Sequence, residues 1–204
     1  MNIEAFILIG GRSTRLGQAK AFADVGGTSL ARRALETVRD SGIACKITFV
    51  AGSQTQFAIE AVTLDAPFIF DLIPCRGPLG GLHAALSYSR TPWVFLLACD
   101  YPLVTPELIG FLAGRISDGA GAVVPEQADG RLQPLCAFYN TAIARPLITE
   151  TIERPRVPPP MSDLVQKLDP AIVKFSEYSH LSRADSLFLN VNTIDELEAA
   201  RGML

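Results

Sequence analysis

From Trp93 to Leu97 the chain reads Trp-Val-Phe-Leu-Leu with no polar residue, and two residues later it stops at Asp100-Tyr101-Pro102. A strand that is apolar at every position has no face to offer water, so it belongs in the middle of a sheet covered on both sides. That single run demands helices above and below the sheet. The acid at its mouth is out of pattern, because Pro102 blocks an ordinary helical continuation and an unpaired carboxylate is costly wherever water is thin. A hard cation would compensate Asp100, and Mg²⁺ characteristically takes one or two carboxylates together with substrate phosphates. The alternative is a capping role for Asp100 near the helix that opens at Thr105-Pro106-Glu107, although Thr105 fits that cap better.

The remaining elements alternate between the two periods. Ala5–Ile9, Lys46–Ala51 and Pro67–Phe70 read as strands, the last ending at Asp71, while Ser29–Arg39, Gln54–Val62 and the stretch from Gly77 to about Tyr88 read as helices. Val25-Gly26-Gly27-Thr28 is a turn signal and Ser41-Gly42 a helix stop. Alternation of this kind predicts an α/β fold with a mostly parallel central sheet and helices on both faces. Ala120–Pro125 and Leu132–Tyr139 are strands joined by the short polar turn Gln127-Ala128-Asp129-Gly130, which adds an antiparallel pair, with Pro134 suiting a strand start or an edge. Asn140–Ile152 is expected to be helical but broken or kinked at Pro146, Met161–Leu168 a short helix, and Ile172–Phe175 a strand. Thr193 with Glu196 has the spacing of a capping box for a last helix.

In a parallel sheet ligands gather beyond the carboxyl ends of the strands, which directs attention to the loops there. The first strand breaks directly into Gly10-Gly11-Arg12-Ser13-Thr14-Arg15-Leu16-Gly17-Gln18-Ala19-Lys20. Glycines let backbone N–H groups close on an anion while Arg and Lys supply charge, so this loop is equipped to hold a polyphosphate. It has neither the Gly-Lys-[Ser/Thr] of a Walker A loop nor the spacing of a dinucleotide fingerprint, and a flexible basic surface loop is the competing explanation. Gly77-Pro78-Leu79-Gly80-Gly81 opens a helix whose free N–H groups suit a second phosphate or a base edge, or else it forms a tight turn that lets the helix pack on the sheet. Asn190 and Asn192 fit Asx turns. His83, one turn into its helix, reads as a packed or surface side chain.

Composition narrows the classes. With 49% apolar and 19% charged residues the chain is globular, and a formal net charge of −3 removes any global field for nucleic acid. Cys45, Cys75, Cys99 and Cys136 show neither a zinc pattern nor a disulfide framework. Cys45, Cys99 and Cys136 are expected to be buried, and Cys75, beside Arg76, is the one placed for reactivity. No signal-peptide pattern and no span of bilayer length are visible, so a cytoplasmic protein without membrane contact is expected.

The order Leu-x-Gly-Gly-x-Ser-x-Arg-Leu-Gly-x-x-Lys, strand-end Asp71, Gly-Pro-Leu-Gly-Gly, strand-end Asp100 with Pro102, Gln133-Pro134 and Asn190-Val191-Asn192-Thr193 covers nearly the whole chain and resembles the molybdenum cofactor guanylyltransferase family. The resemblance implies a single Rossmann-like nucleotidyltransferase domain over residues 1–204 that transfers GMP from GTP to molybdenum-bound molybdopterin, releasing pyrophosphate, with Mg²⁺ as cofactor. It implies that Leu8, Ile9, Gly10 and Gly11 meet the nucleotide together with Ser53, Asp71, Gly77, Pro78 and Leu79, that Lys20 holds phosphates, and that Asp100 holds the metal. Arg15 would steady the departing pyrophosphate, and Asn190 and Asn192 would face the pterin-bearing substrate. Arg154 and Arg156, on the proline-rich loop, suit that substrate's phosphate or else form a solvated basic surface. The other expected partners are cofactor-biosynthesis or acceptor proteins, and the chain is expected to be a monomer.

Two departures from the family pattern stand out. Ile9 replaces the usual alanine, which is expected to narrow the space beside the base, and Ala51-Gly52-Ser53 replaces the family's asparagines, leaving one hydroxyl in place of an amide. A cytidylyltransferase acting on the same cofactor is the nearest rival; Gly10 favours guanine, because a backbone without Cβ can approach more closely. Sugar-1-phosphate nucleotidyltransferases generally have longer chains. A non-catalytic nucleotide-binding protein of the same fold would be expected to have lost the lysine or the metal acid, and Lys20 and Asp100 are both present.

Overall fold

The computed structural model describes residues 2–9, 20–52, 64–117, 119–154 and 157–204. The expected helix at Gln54–Val62 lies outside the described residues. The strands are β1 (Ile3–Leu8), β2 (Asp24–Val25), β3 (Thr28–Ser29), β4 (Lys46–Ala51), β5 (Phe68–Phe70), β6 (Trp93–Ala98), β7 (Ala122–Pro125), β8 (Cys136–Asn140) and β9 (Ala171–Val173). The helices are α1 (Leu30–Ser41), α2 (Pro78–Tyr88), α3 (Pro106–Ala113), α4 (Thr141–Glu153), α5 (Met161–Gln166), α6 (Phe175–Tyr178) and α7 (Ile194–Gly202).

Seven strands form one sheet in the order β5-β4-β1-β6-β8-β7-β9. All neighbours are parallel except at β8, which runs against both β6 and β7. After β1 the chain winds to one side through β4 and β5, then crosses to place β6 on the other side of β1. The switch in winding therefore falls between the carboxyl ends of β1 and β6, where an open α/β sheet leaves its crevice.

Alternation along the strands builds two cores. Ala5 and Ile7 of β1 with Phe95 and Leu97 of β6 face α1 and α3, while Phe6, Leu8, Val94 and Leu96 face α2, α4 and α5. All six residues of β6 are buried, as its unbroken apolar run requires. The start of α1 is set by Ser29, whose side chain accepts from the Arg32 N–H, and its stop by Gly42 in the left-handed conformation at φ 65°. A smaller third core joins Ala23, Val25 and Leu30 to Val191, Leu197 and Ala200, docking the last helix beside the β2–β3 hairpin.

Several expectations are corrected. Pro146 does not break α4, which runs from Thr141 to Glu153. The carbonyl deprived of its donor is that of Ala142, an exposed residue, where water can serve it. β8 starts at Cys136, after Pro134, and leaves Leu132 only an isolated bridge to Glu126; it is an interior strand, so the proline marks its entry and not an edge. Phe175 belongs to α6 instead of the strand before it. Cys45 is exposed, since it enters β4 at the sheet's amino end with its Sγ 3.1 Å from the Ile3 carbonyl; Cys99 and Cys136 are buried and Cys75 is exposed.

Two glycines test the packing in opposite senses. A Cβ on Gly121 would lie 2.2 Å from the Leu168 carbonyl oxygen, whereas one on Gly110, inside α3, meets nothing within 4 Å. Gly121→Ala is expected to lower the unfolding free energy by about 2–3 kcal/mol. Gly110→Ala is expected to raise it by about 0.5–1 kcal/mol, because alanine loses less backbone freedom in a helix. Urea midpoints read both, and a shift of the same sign for the two variants would contradict the packing described.

Candidate active site

The carboxyl ends of the parallel strands collect Leu8 and Ile9 after β1, Ala51 and Gly52 after β4, Asp71 after β5 and Asp100 after β6. The main chain at this rim is tied across the strands. The Ile9 N–H donates to the Val50 carbonyl at 3.0 Å, the Cys99 N–H to the Leu8 carbonyl at 3.1 Å, and the Asp71 N–H to the Ala51 carbonyl at 3.0 Å. Leu8 and Ile9 bury their side chains in opposite cores, at 8% and 3% exposure, so what they offer a ligand is backbone. The expected narrowing by Ile9 is corrected for the same reason: its side chain is buried in the main core.

Lys20 opens a 3₁₀ turn, Lys20–Phe22, that returns the chain to the rim. Its Nζ donates to Asp100 Oδ2 at 2.8 Å, to Asn192 Oδ1 at 2.7 Å and to Asn190 Oδ1 at 3.4 Å. Residues separated by 80 to 172 positions in sequence thus meet on one ammonium. The other oxygen of Asp100, Oδ1, is buried and has no hydrogen-bond partner among the described residues. Thr105, not Asp100, caps α3, accepting from the Leu108 N–H.

The asparagines are more than turn formers. The Val191 N–H between them donates to the Asp100 carbonyl at 3.0 Å, so this segment is stitched to the mouth of β6. Glu196 then accepts from the Asn192 N–H at 2.6 Å and the Thr193 N–H at 2.9 Å, while Thr193 caps α7 in return. Those backbone bonds, first of all the one from Asn192, hold the Glu196 carboxyl below its ordinary range. The capping box is visible in sequence; its reach to Asn192 is not, because that needs the turn geometry.

Asp71 is the second strand-end acid and differs in kind. Its Oδ2 lies 2.9 Å from where a Cβ on Gly80 would sit and 3.8 Å from one on Gly52, so both glycines make room for it. Burial pushes its carboxyl up to about 6. Gly77, at φ 57° and ψ −145°, adopts a backbone that a side chain would strain, and it turns the chain into α2 with Pro78 as the first helical residue. Leu79 is buried in the core, so only its main chain faces the rim. On the far side of Asp100, the buried Gln133 accepts from the Tyr101 hydroxyl at 3.0 Å and donates to Gln127, a polar relay that residue types alone did not indicate. His83 is packed, 7% exposed with Nδ1 unpaired, and burial lowers its pKa against the opposing influence of Glu153. Gly10, Gly11, Arg15, Ser53 and Arg156 lie outside the described residues.

The donor set can be tested against a hard divalent cation. Among the described residues no group of three or more His, Cys, Asp and Glu could hold a metal by itself. One carboxylate with a buried, unpaired oxygen beside two amide oxygens does fit an ion that receives its remaining ligands from a bound polyphosphate. Among the described residues no helix is long and apolar enough to cross a membrane.

Comparison with known proteins places the chain in a family and a fold. A family model described as a MobA-like NTP transferase domain matches residues 5–157. A probable molybdenum cofactor guanylyltransferase from Haloferax mediterranei is 32% identical over 194 residues, covering 95% of this chain and 90% of its own length. A protein of the same description from Pelotomaculum thermopropionicum is 30% identical over 197 residues, covering 97% and 91%. The crystal structure of molybdopterin-guanine dinucleotide biosynthesis protein A from Archaeoglobus fulgidus shares the fold, with a TM-score of 0.81 at 24% identity over 98% of this chain and 97% of that one.

The raised pKa of Asp71 has a consequence for stability. Ionising it costs the folded chain more than the unfolded one, so stability falls as pH rises from about 4 to about 6 and the deficit persists above. Asp71→Asn is expected to stabilise the protein at pH 8 by on the order of 1 kcal/mol, with the difference from the parent closing below about pH 4. Urea unfolding of both proteins across that range checks it; a pH-independent difference would place the strain elsewhere.

Proposed function

The chain belongs to the family of MobA-like NTP transferases, and from that membership we propose that it transfers GMP from GTP to molybdenum-bound molybdopterin, releasing pyrophosphate. The observation that carries this reading is the meeting of Lys20, Asp100, Asn190 and Asn192 at the switch point between β1 and β6. On this reading the ammonium and the acid serve the nucleotide, and the two amides on the same ammonium serve the acceptor.

In the proposed reaction the terminal phosphate of molybdopterin attacks the α-phosphorus of GTP. One P–O bond forms to the acceptor oxygen, the bond to the β-phosphate breaks, and pyrophosphate leaves. Such a displacement needs orientation and charge more than a covalent partner on the enzyme. Backbone at Leu8 and Ile9 lines the nucleotide's entry, and Lys20 supplies positive charge to the phosphates. Asn190 and Asn192 hold the pterin-bearing substrate by amide hydrogen bonds. Asp71, an acceptor-only group when ionised, matches a donor edge of the nucleotide. Asp100, with Asn190 or Asn192 beside it, would hold Mg²⁺, which when bound offsets the charge gathered on the phosphates.

Incubating each NTP with Mg²⁺ and molybdenum-loaded molybdopterin, and following dinucleotide and pyrophosphate, tests the reading. Product is expected from GTP; product from CTP alone would overturn the base assignment. Asp100→Asn is expected to lower turnover by about a hundredfold or more while circular dichroism stays that of the parent. Near-parental turnover would remove Asp100 from the metal role.

A further inference from the structure

An ammonium has three N–H groups, and the Lys20 ammonium is surrounded by three side-chain oxygens, from Asp100, Asn192 and Asn190 at 2.8, 2.7 and 3.4 Å. In this arrangement it has no donor left over for a phosphate. It also stands against Asp100, the one acid assigned to the metal, in surroundings where the two side chains are only 12% and 21% exposed. We propose that Lys20 is the site's own resident counter-ion. It fills the cation position beside Asp100 until a polyphosphate draws its ammonium away, so that divalent ion and nucleotide enter together and the ion does not bind first. This rests on the reading of Asp100 as metal ligand given above.

Three physical points support it. A divalent cation held by the Asp100 carboxylate through either oxygen stands close to an ammonium 2.8 Å from Oδ2, and at such separations with little water between them like charges repel strongly. The backbone that carries Lys20 is fixed, with Ala21 buried and the Ala23 N–H donating to the Lys20 carbonyl at 3.0 Å, so the part free to move is the four-carbon stem. A triphosphate offers the ammonium several anionic oxygens in exchange for one carboxylate and two neutral amides, which makes the exchange favourable only when nucleotide is present.

The exchange also couples the two substrates. Once Lys20 leaves, Asn190 and Asn192 lose their shared donor, and their amide oxygens become available to the acceptor or the ion. Nucleotide therefore prepares the acceptor side, and the acceptor binds second.

The test measures Mn²⁺ binding without nucleotide by electron paramagnetic resonance, in the parent protein and in the variants K20M, K20R and K20M/D100N. The parent and K20R are expected to bind Mn²⁺ weakly. K20M is expected to bind it about tenfold more tightly or better, and the double variant to lose that gain. A smaller gain in a folded K20M protein overturns the inference; K20Q, closer in polarity, replaces it if K20M does not fold. If K20M shows no gain while Asp100→Asn still abolishes turnover, the counter-ion role falls and the metal assignment stands. If the double variant keeps the gain, the ion is not on Asp100, and both fall.

Discussion

The ion pair between Lys20 and Asp100 joins the two halves of the winding. Lys20 arrives from the loop that follows the innermost parallel strand, and Asp100 from the mouth of the strand paired beside it. Neither position is free to vary much. β6 is buried along its full length, so the first polar residue after it emerges at the crevice, and β1 pairs with it in parallel register from Ile3↔Trp93 to Leu8↔Ala98. Once hydrophobic burial has set that register, the carboxyl end of β1 lies beside the segment that carries Asp100. The charge pair is a consequence of sheet packing that would be poor evidence of stability by itself. On the function proposed above, its use lies in placing opposite charges where an anionic ligand and a cation would take them up.

The two strand-end acids show how the same residue type is set to different tasks by what surrounds it. Asp100 faces a lysine and keeps one oxygen buried and unpaired. Asp71 lies against Gly52 and Gly80, where the missing side chains leave room but provide no compensating charge, and its ionisation is penalised by burial. A ligand bringing N–H donors to Asp71 would relieve that penalty, and the gain would be realised only on binding. A site assembled in this way holds part of its affinity in reserve as strain in the empty state.

Much of the fold was legible in the residues because local signals and tertiary demands agreed. The strand-helix alternation, the Thr105 cap, the Gly42 stop and the fully apolar β6 all fall where the pattern places them. The misreadings arose where context overrode a local preference. Pro146 is tolerated because the carbonyl it deprives of a donor belongs to an exposed residue, and Cys45 is exposed because it enters its strand at the sheet's rim, a position no composition reports. Ile9 looked like a change in the binding space, yet side-chain alternation turns it into the core. For the site, residue type pointed to Lys20 and Asp100 separately, and only the family resemblance added Asn190 and Asn192. Their convergence on one ammonium depends on chain crossings spanning most of the sequence, which spacing cannot encode. The Tyr101–Gln133–Gln127 relay and the reach of Glu196 to Asn192 were hidden for the same reason.

The last fifteen residues deserve to be counted with the site and not as a trailing helix. The family match ends at residue 157, whereas the asparagines that complete the Lys20 shell come more than thirty residues later. They are delivered by a small core of their own, in which Val191, Leu197 and Ala200 pack on Ala23, Val25 and Leu30 beside the turn that carries Lys20. Arg201 reinforces the contact by donating to the Asp24 carbonyl at 2.8 Å, and Glu196 pins the peptide of Asn192. The asparagines are thus mounted on this small core, while Asp100 is mounted on the sheet and Lys20 is followed by Ala21, buried in the main core. Any displacement of that small core relative to the sheet would move the asparagines away from both Lys20 and Asp100. The single backbone bond from Val191 to the Asp100 carbonyl opposes such a displacement directly at the site. On the function proposed above, the acid that would hold the ion belongs to the sheet, whereas the amides that would meet the acceptor belong to this separate small core.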